Sequence, residues 1–350
     1  MPFEPNALPT LIWSLPLAEH AEATQMALVY VPEIPIWVQL PSVPEERLLS
    51  QFAEGLPGIR GQGETLFFDT ISPAFEDELL SFFEQYLAVT EGGAPLAGSI
   101  FAFSEKTGRG FRTFLDAISG LASPPFALKG QITGPFTLLT GLKDQAGRLA
   151  YFDSQLREAV AKALALKARY QIEERRRLNP TAICFLDEPA LAGFGSSGMV
   201  GIAPQDVVAD LSEVIDGIHA AGGLAGVHVC ANTDWSLVLS THLDILSFDA
   251  YGFFDRLVLF RNEITKFLER GKVIAWGLVP TLISEDLERE DVKSLFARWH
   301  NQVGQLGIPL DVARRQALIT PSCGTGLLSL EFSRRALALT RDLSQAIRKG

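Results

Sequence analysis

The sequence predicts an α/β protein built as a single (β/α)8 TIM barrel with hairpin insertions, residues 1–350 forming one domain. Three observations predict it. About eight short apolar, β-rich segments recur along the chain, helical stretches lie between them, and 350 residues fall within the range such a barrel takes. An open doubly wound sheet is the alternative that the same alternation allows. With 47% hydrophobic residues the chain has ample material for a large core.

In order, the strand segments are "TLIWSLP" (10–16), "IPIWVQLP" (34–41), "FALKGQIT" (126–133), "AICFLDEP" (182–189), "LAGVHVC" (224–230), "DILSFDA" (244–250), "KVIAWGLVP" (272–280) and "QALITPSC" (316–323). The stretch 153–178 has apolar residues at helical spacing, opens on Asp153 as a cap candidate and gathers arginines at its end. Residues 204–223 read as a second helix closed by a glycine pair, and 331–350 as a third. Two turn-rich stretches, 55–69 and 141–153, break the repeat and read as the hairpin insertions. No linker, low-complexity tract or short-period repeat divides the chain.

A net charge of −11 argues against a nucleic-acid or anionic-membrane partner, since phosphate binding needs a basic stripe. The expected ligands are small, or are carried by a partner protein. Three cysteines cannot make a disulfide framework, which points to a reducing compartment and leaves each thiol free for other chemistry. The N-terminal apolar stretch lacks a basic flank and holds prolines, so it fits neither a signal peptide nor a spanning helix. A cytoplasmic protein is expected.

Residues two apart in a strand point to the same side, so His228 and Cys230 in "GVHVC" share one space. In a parallel barrel active groups collect at the carboxyl ends of the strands, where His228, Cys230, Asp249, Asp187, Glu188 and Cys323 all fall. Imidazole and thiolate are ligands that Zn2+ prefers, and a catalytic zinc takes three protein ligands with one position open. His228, Cys230 and Cys323 supply that set. Taken alone, a His-x-Cys pair is more often two core residues; the weight comes from "TPSCGTG", which sets Cys323 in a Pro/Gly-flanked turn after the last strand. In "FLDEPAL", Asp187 and Glu188 point opposite ways, so one faces the mouth while the other is bound into the loop, or the pair is an acidic cap. Asp234 and Trp235 in "NTDWS" line a donor entrance, with Trp235 alternatively packing against the next helix. Asn232 reads as a turn former, and His20, His219, His242 and His300 as solvated surface residues.

The stretches "HVCANTDWSLVL", "DILSFDA", "FLDEPAL" and "TPSCGTG" resemble the carboxyl-terminal catalytic barrel of cobalamin-independent methionine synthase. Its superfamily also holds uroporphyrinogen decarboxylase and the methylcobamide:thiol methyltransferases. The resemblance covers nearly the whole chain in element order, and its motifs are confined to those short stretches. It implies zinc held by His228, Cys230, Asp249 and Cys323. It implies further that Asp187 binds a substrate ammonium and that Ser14 in "IWSLP" contacts the amino acid, with Glu54 in "AEGLPG" as a looser match for a second ammonium ligand. Trp13 stands where the family has glycine, Asp249 where it has glutamate, and the synthase's amino-terminal half has no counterpart.

The likeness is greatest to short, single-barrel relatives, which implies methylcobalamin or a methylated corrinoid protein as donor and homocysteine or a related thiol as acceptor. The expected reaction is attack of a zinc-activated thiol on an electrophilic methyl group. Two other readings stand beside it. A metal-free decarboxylase of the uroporphyrinogen type would need paired arginines near the amino terminus, where the first 59 residues hold only Arg47. A non-catalytic zinc barrel that docks a corrinoid protein would need a closed, four-ligand site.

Overall fold

The computed structural model describes residues 3–350. Its centre is a curled parallel sheet of seven strands: β1 (Leu8–Pro9), β4 (Leu128–Thr133), β5 (Ala182–Asp187), β6 (Leu224–Val229), β7 (Ile245–Phe248), β8 (Val273–Val279) and β9 (Ala317–Pro321). Two further strands, β2 (Ile59–Arg60) and β3 (Phe67–Phe68), form a separate antiparallel pair within the insertion expected at 55–69. The large sheet runs in the order β1-β9-β8-β7-β6-β5-β4, so strands adjacent in sequence are adjacent in space from β4 to β9 and the first strand pairs with the last. Parallel neighbours need crossovers, and helices supply them on the outer face.

The stretch 34–41, expected as a regular strand, makes only isolated parallel bridges, Ile36 to Lys129 and Gln39 to Ser14. It still spans from β4 to the chain beyond β1: Lys129 N–H donates to Pro35 O at 3.0 Å and Gln39 N–H to Trp13 O at 2.9 Å. The reason for the broken ladder is chemical. Pro35 and Pro41 bound the segment without an N–H to give, and inside it the Trp37 carbonyl accepts from the Gln131 side chain at 3.0 Å rather than from a ladder N–H. The first strand likewise departs from expectation, with its ladder at Leu8–Pro9 rather than over 10–16.

Alternation along each strand sorts the side chains into two layers. Ala127, Ile183, Phe185, Ile245, Ala275 and Leu318 belong to one buried cluster inside the curl. Their sequence neighbours Leu128, Cys184, Leu186, Leu246 and Ile274 belong to the large cluster between sheet and helices. Each fully buried Leu, Ile or Phe contributes about 1.5–3 kcal/mol, so both layers hold the sheet in its curl. The helix Ser154–Arg176 starts where Asp153 accepts from the N–H groups of Gln155 and Leu156 at 3.0 and 3.1 Å. Pro204–Ala220 and Leu330–Lys349 are the second and third helices read from the sequence, the latter capped by Ser329. The second insertion, at 141–153, is a turn closed by a Lys143–Leu149 bridge and joined to the first through Phe68 and Asp144. Among the described residues no helix is long and apolar enough to cross a membrane.

Candidate metal centre

The parity that puts Phe185 and Ile245 inside the curl puts Asp187, His228 and Ser247 there too, at the carboxyl ends of their strands. Register sets them side by side, Asp187 opposite His228 and His228 opposite Ser247. Cys230 lies just past β6, and Cys323 just past β9. The His228 ring and the sulfurs of Cys230 and Cys323 offer ligand atoms that all lie within 4.8 Å of one another. Ligand atoms around a tetrahedral zinc with bonds of 2.0–2.3 Å stand about 3.5–3.8 Å apart, so small side-chain adjustments close this set on one ion.

His228 is 2% exposed. Its Nδ1 lies 2.9 Å from Ser247 Oγ, while Nε2 is buried with no hydrogen-bond partner. Leaving a buried polar atom unpaired costs about 1–3 kcal/mol. A metal ion would remove that cost, and the donor set of one imidazole and two thiols suits zinc. The thiol of Cys230 is pushed down to about 4, first by a hydrogen bond from the Cys323 thiol and then by His228, against the opposing effect of burial. The same hydrogen bond, with burial, raises Cys323 well above the ordinary thiol value. One of the two sulfurs is therefore ready to ligate as thiolate.

Asp187 is 2% exposed, and its Oδ2 has no partner. Burial lifts its carboxyl to about 6, with His228 and Lys129 pulling the other way. Lys129, on the inner face of β4, is 1% exposed, with Nζ 4.1 Å from the Phe185 ring centroid. Burial pushes its ammonium down to about 8 despite the nearby Asp187 carboxylate. Glu188 takes the opposite direction, as adjacency in a strand requires. Its carboxylate accepts from the N–H groups of Phe136 and Thr137 at 3.0 and 2.8 Å and from Thr137 Oγ1 at 2.6 Å. It thus binds the start of the short helix Pro135–Gly141.

Ser14 is buried beside the turn that carries Cys323. Gly326 N–H donates to Ser14 Oγ at 3.2 Å, and Thr325 N–H to Ser14 O at 3.0 Å. Glu54 Oε2 accepts from Thr107 Oγ1 at 2.6 Å, and the residue lines a cavity of about 230 Å³ with Gln62 and Lys106 beside the β2–β3 hairpin.

Asp249 is not one of the three clustered ligands; its Oδ1 accepts from Gly252 N–H at 2.7 Å. Burial raises its carboxyl to about 6. Trp235 is fully buried against Phe248, ring centroids 6.0 Å apart, and lines no entrance; it starts a short helix capped by Asp234, and core packing takes its indole. Of the four histidines read as solvated surface residues, His242 and His300 are exposed, the former paired with Asp216; His219 is half-buried against Asp244, and His20 departs from the expectation, 2.7 Å from the buried Glu46 carboxylate.

Lys129 and Ser247 were not singled out by sequence. The signal was there: in "ALKGQIT" and "DILSF" each shares the parity of an inward-facing apolar residue.

No protein-family model and no curated protein sequence matches this chain. Among solved structures, a methyltransferase from Methanosarcina mazei superposes with a TM-score of 0.52 at 14% identity, over 92% of this chain and 84% of that one. That likeness is one of fold. A Bacteroidetes-affiliated cellulase gives a TM-score of 0.38 at 14% identity, over 73% of this chain and 80% of that one, and carries no argument.

Proposed function

We propose that the chain is a zinc-dependent methyltransferase of the methionine synthase type. In this reading His228, Cys230 and Cys323 hold the ion, homocysteine or a related thiol is the acceptor, and methylcobalamin or a methylated corrinoid protein is the donor. The observation that carries it is the convergence of a partnerless imidazole nitrogen and two sulfurs at the carboxyl ends of the parallel strands. The resemblance of the "HVCANTDW", "FLDEPAL" and "TPSCGTG" stretches to the synthase barrel supports it. So does the fold shared with a protein described as a methyltransferase. The fold in this reading is a full (β/α)8 barrel, with 34–41 as the eighth stave, and the reducing cytoplasm keeps the thiols free.

Zinc bound there supplies one thing, a lowered pKa for a coordinated substrate thiol. The chain's own residues do the rest. Ser247 holds Nδ1 and so orients the His228 ring with Nε2 toward the ion. Asp187 offers its free Oδ2 to a substrate ammonium, and the buried Lys129 favours its charged form. Ser14 secures the turn that brings Cys323 over the site.

The docking reading needs a fourth protein ligand. The cluster supplies three protein ligands, the number a catalytic zinc takes, and this favours catalysis. The decarboxylase reading is weakened by the pairing of Arg47 with Glu64 at 3.1 Å on the surface. Cobalt(II) substitution tests the centre: thiolate-to-cobalt absorption is expected in the wild type and lost in Cys323→Ser. Absorption unchanged by that substitution overturns the centre. Methyl transfer from methylcobalamin to a panel of thiols, read by product mass, identifies the acceptor.

A further inference from the structure

The opposite end of the sheet carries a second constellation. His219 lies in the last turn of the helix Pro204–Ala220, and His242 in the loop that enters β7. Both precede the strands they lead into, so they sit at the amino-terminal end, away from His228 and Cys230. One ring nitrogen of each and a carboxylate oxygen of Asp216 lie within 4.8 Å of one another. The rings are 5.3 Å apart between centroids, and the side chains of His219, His242 and Asp216 are 31%, 47% and 70% exposed, so an ion reaches them from solvent.

We propose that this is a second, sulfur-free metal site for a borderline divalent transition ion, with His219, His242 and Asp216 as protein ligands and water completing the shell. Two imidazoles and a carboxylate are the donors such ions take, whereas Mg2+ and Ca2+ prefer all-oxygen sets. In the metal-free protein, His242 Nε2 and Asp216 Oδ1 are 2.7 Å apart, joined by one proton. The ion takes the place of that proton.

Asp244 gives the site its rigidity. It lies 2.7 Å from His219 Nε2, and it is itself fixed by Lys272 Nζ at 2.7 Å and Ala225 N–H at 2.9 Å. An ion on the other nitrogen of His219 completes a carboxylate–histidine–metal relay, the arrangement that orients metal-bound imidazoles. The helix ends here, and the partial negative charge of its last turn also favours a cation. Bound metal would tie the end of the helix to the loop entering β7.

Titrating the metal-free full-length protein with cobalt(II), by calorimetry and absorbance together, tests the proposal. Two equivalents are expected, only one of them bringing thiolate-to-cobalt absorption. His242→Ala and Asp216→Asn should each remove the sulfur-free equivalent and leave the thiolate absorption intact. Asp244→Asn should weaken that equivalent about 10–100-fold. A single equivalent in the wild type, accompanied by thiolate absorption, overturns the second site alone. Two equivalents persisting in both His242→Ala and Asp216→Asn also overturn it. Loss of thiolate absorption in the wild type instead counts against the first centre and leaves the second to be judged from the sulfur-free equivalent.

Discussion

His228 has two nitrogens, and Ser247 Oγ at 2.9 Å occupies Nδ1, so Nε2 alone is left for a ligand. Removing that hydroxyl frees the ring to rotate, and loss of such a supporting contact costs about 10–100-fold in metal affinity. Ser247→Ala is therefore expected to release zinc to a competing chelator at correspondingly lower chelator concentration, with an unchanged circular dichroism spectrum. Equal affinity would detach the serine from the site. Asp187 makes a second claim at this scale. Its carboxyl is raised by burial from 3.8 to about 6, so the folded protein takes up its proton before the unfolded chain does. Its contribution to stability is thus unfavourable at neutral pH and is relieved as pH falls through about 6. Binding of a substrate ammonium needs the ionised form. For an amino thiol, kcat/KM is expected to fall as pH drops through that window, and Asp187→Asn to erase this limb; thiols without an amine should show no such limb in either protein. The inward direction of His228 and Cys230 was legible in the sequence because a strand's period of two fixes it. The inward direction of Lys129 followed from its parity with Ala127, but nothing in "ALKGQIT" alone says whether a lysine inside an apolar strand has a buried counter-charge.

Among the elements, helices announced their ends and two strands did not. Asp153 and Ser329 cap their helices through hydrogen bonds that the residue types allow at those places, so boundaries came within a few residues. The stretch 34–41 looked like a strand because its apolar content is strand-like, but prolines bound it and the Gln131 side chain takes the Trp37 carbonyl from the ladder. Both readings of Trp235 were open in the sequence, and its burial against Phe248 selects the packing one. The helix Pro135–Gly141 depends on a residue far from it in sequence. Glu188 accepts two of its first N–H groups, and Gly134 leaves the room, since a Cβ there would stand 2.1 Å from Glu188 Oε1. Burial raises the Glu188 carboxyl to about 8, an effect that these donors oppose. Glu188→Ala strands three buried donors and is expected to cost about 2–4 kcal/mol in urea unfolding. A loss under about 0.5 kcal/mol, the level of an ordinary surface substitution, would mean that water replaces the carboxylate.

Across the whole molecule, the candidate centre exists only because the two ends of the chain meet. Cys323 was read as a ligand from its turn-like surroundings, but its approach to His228 depends on β9 pairing with β1 and on the stretch 34–41 bridging to β4. No local pattern encodes that closure; it follows from seven parallel strands sharing one curl. One tight point of the closure is Gly326, which meets residues from two other parts of the wall. A Cβ on Gly326 would stand 2.6 Å from Ser14 Oγ and 2.7 Å from Pro41 Cγ. Neither neighbour can retreat freely, because Ser14 O is held by Thr325 and Pro41 is locked by its ring. Gly326→Ala should therefore move the turn itself, and Cys323 with it, at an overpacking cost of about 1–3 kcal/mol. The expected result is weakened thiolate-to-cobalt absorption in a protein whose far-ultraviolet spectrum is unchanged, while the sulfur-free site at the opposite end binds as in the wild type. If both metal signals survive intact, the turn has slack, and the position of Cys323 does not depend on the packing at Ser14.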